Sequence, residues 1–152
     1  MEMEQDEKWQ PISVKAEHNG PVVYQIRLVD EQGHVVQIGR LIKKDPDGIL
    51  LIGMATEMNR RRKDFINGFK NHKRHSEGKL LYLLLKYSSF KTDYRGYQYE
   101  YYFQPVSTKG DAEQTEMKLI KKYVKIYGEA PPLNSVIPKR DNEKGWKNNR
   151  GN

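Results

Sequence analysis

The chain has 152 residues, a formal net charge of +7 and a pI near 9.4. That is the length of one domain and the charge of a protein with a polyanionic partner, nucleic acid before acidic membrane. It contains no cysteine, which excludes disulfides, zinc–thiolate sites and thiol nucleophiles.

Residues 1–20 are polar and mixed and read as an arm, with Trp9 and Ile12 pinned to the body. The opening MEMEQDEKWQ is acidic, unlike a secretory signal, and no apolar run reaches the roughly 20 residues of a membrane span. The expectation is a cytoplasmic (intracellular) protein with no membrane partner. From Pro21 the composition becomes that of strands. VVYQIRLV (22–29), a turn at DEQG and HVVQIGRLI (34–42) read as a hairpin. KKDPDG (43–48) is a loop, and ILLIG (49–53) is a short buried strand. Strands followed by helices predict an α+β domain, a small antiparallel or mixed sheet flanked by helices.

A helical pattern starts near Thr56 and Glu57, with Met58, Phe65, Ile66 and Phe69 as its apolar face. Arg60 and Lys63 point away from that face, and Arg61 and Arg62 lie on its two shoulders. SEGKLLYLLLKYSS (76–89) reads as a core helix, TDYRG (92–96) as a turn and YQYEYYFQPV (97–106) as a tyrosine-rich strand.

The stretch 111–134 predicts a helix with a firm stop. Asp111 is the expected N-cap with Gln114 three residues on, and Gly128 and Pro131-Pro132 end the helix. Leu119, Ile120, Tyr123, Val124 and Tyr127 repeat at core spacing. Glu116 falls on the same line as Ile120, Tyr123 and Tyr127. A carboxylate among core-facing residues costs several kcal/mol unless a metal or another cation faces it. The alternative is a glutamate suited to the helix dipole that leans out to water. Beyond Asn134 the chain is basic, polar and rich in Gly and Asn, an extended tail.

Arg60, Arg61, Arg62, Lys63, Lys70, Lys73 and Arg74 crowd one helix and the turn after it. Such a run is often only a solvated face, but in a basic chain it points to phosphate contacts, as do Lys139 and Arg140 in the tail. His72 and His75 sit in the same turn, where a histidine near a phosphate can donate a proton. Most of the tyrosines read as strand or core residues. P-loop, GxGxxG, HExxH, nucleophile-elbow and EF-hand patterns are all missing, which argues against nucleotide-driven motors and zinc hydrolases.

The order VVY (22–24), LIG (51–53), an arginine ten residues on from Leu51, EMKLIK (116–121) and PPLN (131–134) resembles the GIY-YIG nuclease superfamily. The resemblance covers residues 21–134, and its C-terminal half carries the more specific match. It implies a GIY-YIG-like α+β domain at 21–134 between the arm (1–20) and the basic tail (135–152). The implied activity is a DNA endonuclease that hydrolyses phosphodiester bonds with one divalent cation, Mg²⁺ or Mn²⁺. By the same resemblance Tyr24 sits at the reacting phosphate, Arg61 steadies the transition-state charge, Glu116 binds the metal and Asn134 closes the site. His75, with His72 second, matches the family's histidine. Spacing favours Arg61 over Arg62, which the helical wheel does not separate. Leu51 stands where the second motif has its tyrosine, and Met54 where some members have a lysine. A homodimer would let both strands be cut. Charge alone does not separate RNA from DNA, and the loss of the second tyrosine also fits a non-catalytic nucleic-acid-binding domain of the same fold.

Overall fold

The run VVYQIRLV becomes the middle of the sheet. In the computed structural model, which describes residues 8–70 and 96–134, the elements are β1 (Gln10–Pro11), β2 (Val22–Val29), β3 (Ile49–Ala55), α1 (Met58–Lys70), β4 (Gln98–Pro105) and α2 (Lys109–Tyr127). The strands form one antiparallel sheet in the order β1-β4-β2-β3, so the domain is α+β. Tyr24 stands opposite Gly53 on β3 and Phe103 on β4. The predicted helix at 76–89, the tail and all but Gly96 of the predicted turn at 92–96 lie outside the described residues.

The strand partners of β2 are β3 and β4, and the 34–42 segment that the sequence suggested forms no full strand beside it. The predicted turn at 30–33 is present and the segment pairs with β2 as far as Val36: Asp30 N donates to His34 O at 2.8 Å, Val36 N donates to Leu28 O at 3.0 Å, and Val29 bridges Val35. Beyond it the segment leaves the sheet, with Ile38 bridging Asp45. It is drawn instead to the end of α2. Ile42 N donates to Tyr127 O at 2.9 Å, and Arg40 pairs with Glu129. Beyond Val36 the β-branched composition therefore serves a loop packed on a helix end.

Alternation along the strands separates two apolar layers. Val22, Tyr24, Ile26, Leu28, Leu51, Ala55 and Tyr101 join Met58 and Phe65 of α1 on one face. Ile49 and Ile52 join Ile120, Tyr123 and Tyr127 of α2 on the other. Although β3 is last in the strand order, most of it is buried, because residues 131–134 run along its outer edge. Leu133 N donates to Leu50 O at 2.8 Å. The Asn134 amide then acts as a strand would, accepting from Ile52 N and donating to Ile52 O, both at 2.9 Å.

From residue 8 onward the arm is part of the body. Ile12 is buried, Gln10–Pro11 pairs with β4, and Trp9 is half-buried beside Tyr102 with the Arg27 guanidinium 4.2 Å over its ring. Arg27 in turn bonds Glu100 across the sheet at 2.7 Å. Side chains of α1 and β4 complete the attachment. Asn59 exchanges two bonds with Ala16, and the Tyr101 hydroxyl donates to Val14 O while accepting from Gln10.

Helix α2 is capped by Thr108 rather than Asp111. The Thr108 hydroxyl accepts from Asp111 N at 3.1 Å, leaving Asp111 in the first turn where its charge suits the dipole. At the other end Gly128 takes a left-handed conformation (φ 84°) that a side chain would strain, and its N–H bonds Val124 O.

Burial raises several phenols of this core. Tyr99 is pushed up to about 12, and Tyr101 rises for the same reason, opposed by Arg62 and by the bond from Gln10. Between the unfolded phenol value of about 10 and the folded one, the native state holds a proton that the unfolded state has lost. Stability is thus intact below pH 10 and falls as pH rises toward 12. Urea midpoints measured across that range should drop, and drop less steeply in Tyr99→Phe.

Candidate active site

Tyr24 is 1% exposed, on the sheet face that α1 covers. Its ring lies close against Gly53. A Cβ at position 53 would come within 2.5 Å of both Cζ and Oη of Tyr24, so only glycine fits there. Leu51, at the position of the family's second tyrosine, is buried in the same apolar layer and contributes no hydroxyl.

The arginines of α1, which spacing alone distinguished, have different roles. Arg62 is 5% exposed; its Nη1 donates to Ile12 O at 2.8 Å, and its charge acts on Tyr101. Its Nε is buried without a hydrogen-bond partner. Arg62 holds the N-terminal segment and is not placed to reach a backbone phosphate. Arg61 is half-buried on the other shoulder, and Arg60 and Lys63 are exposed as the wheel predicted. His72, Lys73, Arg74, His75, Lys139 and Arg140, and the side chain of Lys70, lie outside the described residues.

Glu116 is half-buried on α2. The stripe predicted for that helix is present, since Ala112, Ile120, Tyr123 and Tyr127 are its buried residues and Glu116 interrupts them. Ile120 and Tyr123 pack against Ile52, on the face opposite Tyr24. The structure thus sets Tyr24 and the α1 arginines on one side of the sheet and Glu116 on the helix that covers the other. Between them is β3, whose edge Asn134 holds at Ile52, next to the glycine under Tyr24.

The donor set for a cation is small. Among the described residues no three His, Asp or Glu side chains converge. A single half-buried carboxylate suits Mg²⁺, which keeps most of its water and binds through one or two carboxylates and phosphate oxygens.

Sequence reasoning missed a second polar centre. Asp45 is fully buried. Its Oδ1 accepts from Asp47 N at 2.8 Å, and its Oδ2 accepts from Ile49 N at 3.1 Å and the Tyr123 hydroxyl at 2.7 Å. Burial and the bond to this carboxylate push the Tyr123 phenol up. A cavity of about 360 Å³ beside it is lined by Gln25, Asp47, Lys122 and Tyr127 among others. The signal was the Asp-Pro-Asp-Gly turn, which offers an Asx-type carboxylate to the backbone just after it.

Among the described residues no helix is long and apolar enough to cross a membrane. No family model, curated protein or solved structure matches the chain.

Proposed function

We propose that the chain is a GIY-YIG-type, metal-dependent DNA endonuclease. The observation that carries this reading is Glu116, a half-buried carboxylate set into the apolar stripe of α2 where the motif resemblance puts a metal ligand. Mg²⁺ or Mn²⁺, when bound, supplies charge neutralisation at the phosphate oxygens. Glu116 would hold the cation, and the resemblance alone assigns Arg61, which lies on the other side of the sheet, to the negative charge that grows on the scissile phosphate. Asn134 keeps the edge of β3 in place, and the exposed Arg60 and Lys63 meet flanking phosphates. Tyr24 orients the attacking water only if its phenol becomes uncovered.

That burial favours a second reading, a DNA-binding domain of this fold that does not cut. With Tyr24 sealed in the core and Leu51 beside it, neither position offers a hydroxyl at the surface. Supercoiled plasmid separates the two. Nicking with Mg²⁺ or Mn²⁺ that stops with EDTA supports the enzyme; binding without nicking leaves the second reading.

A further inference from the structure

The segment between Ile38 and Asp45 is a closed loop that carries two largely exposed apolar side chains, Leu41 and Ile42, with one edge of Ile42 against Gly128. Ile38 and Asp45 exchange both backbone bonds, at 2.9 and 2.7 Å, and so close the loop. Its foot is fixed by the three bonds that the Asp45 carboxylate accepts. Its side is fixed by Ile42 N to Tyr127 O and by Arg40, which bonds Glu129 and Ala130 O. At the tip Leu41 is 77% exposed and Ile42 64%. Scattered single apolar residues on a surface are ordinary, but two adjacent ones at the apex of a braced loop are not.

Charge identifies the occupant. Lys43 and Lys44 follow the apolar pair and are both exposed. Of the nearby acids Asp45 is buried, Glu129 is paired with Arg40 and Asp47 is exposed, and the Lys43 ammonium lies 5.8 Å from the centre of the Tyr127 ring. A second copy of the chain is disfavoured, because a two-fold contact at this tip would set lysine against lysine. A bilayer is disfavoured because two side chains give little insertion. Duplex DNA fits both features. Architectural DNA-binding proteins push one or two apolar side chains between base steps while cations beside them hold the adjacent phosphates.

We infer that Leu41 and Ile42 form a wedge that unstacks a base step of bound duplex DNA, with Lys43 and Lys44 on the flanking phosphates. This rests on the DNA-binding reading above and adds a means of selecting easily deformed DNA, since pyrimidine–purine steps kink most readily. The tip packs at the C-terminal end of α2, about 16 Å along the helix from Glu116 at 1.5 Å per residue.

The test uses short duplexes with 2-aminopurine stepped through the sequence, end-labelled for energy transfer, and the full chain as wild type and as Leu41→Ser/Ile42→Ser. Both side chains are exposed, so the variant should melt with the wild type. The wild type should raise 2-aminopurine fluorescence and bend the duplex by about 20–90°. The variant should lose both signals while its salt dependence of binding stays within about one unit of slope. Binding, with or without nicking, but no unstacking overturns the wedge and leaves the DNA reading intact. Unstacking that persists in the variant also overturns it. Absence of DNA binding removes both, and capture by phosphatidylserine vesicles without DNA binding assigns the tip to a membrane instead.

Discussion

Asp45→Ala should destabilise the protein by about 3 kcal/mol or more, through loss of a buried acceptor rather than of apolar contact. The carboxylate satisfies two backbone N–H groups and the Tyr123 hydroxyl. Removing it strands three donors, each worth about 1–3 kcal/mol when unsatisfied and buried. For a chain of this length that corresponds to a fall in Tm of roughly 6–12 °C. Tyr123→Phe removes one donor and keeps the acceptor, so it should cost only about 1 kcal/mol. Urea denaturation of the two variants checks the ordering. A loss under about 1 kcal/mol in Asp45→Ala would mean that water replaces the carboxylate and that the loop is not braced as described.

Neighbouring arginines on α1 should differ in what their loss does to cleavage by the folded protein. Arg62→Ala should cost about 2–4 kcal/mol, because it leaves Ile12 O without its donor and empties a packed position under the N-terminal segment. Amide exchange should then speed up first in residues 10–16, which Arg62, Tyr101 and Asn59 hold. Arg61→Ala should lower DNA cleavage by about 10²–10³-fold, the usual cost of one transition-state donor, after correction for any loss of folded protein. Equal effects of the two substitutions on cleavage, after correction for folding, would remove the separate role assigned to Arg61.

Periodicity and composition made α1, α2 and the strands β2, β3 and β4 legible, whereas the edge strand β1 lies in the stretch that read as an arm. The stripe that ends at Tyr127 and the glycine stop after it follow from backbone rules that act within one turn, so α2 was readable nearly to its ends. Its N-terminus was displaced because Thr108 and Asp111 are both good caps three residues apart, and composition does not choose between them. The 34–42 segment was misread beyond Val36, for a different reason. Its valines and isoleucines suit a strand, but the bonds that claim it come from Tyr127 and Glu129, remote in sequence. Arg61 and Arg62 were equivalent on a wheel; only the position of Ile12 separates them. The Glu116 anomaly was visible from spacing, whereas the side of the sheet that α2 would cover was not.

The most direct test of the enzyme reading is the single-turnover nicking rate of supercoiled plasmid in Mn²⁺, compared between wild type and Glu116→Gln at matched DNA occupancy. The glutamine keeps the shape of the side chain and removes the charge that would hold the cation. The prediction is metal-dependent nicking by the wild type, none by the variant above the no-protein control, and unchanged DNA affinity measured without metal. Equal nicking by the two proteins, or none by the wild type at saturating DNA and metal, would contradict it.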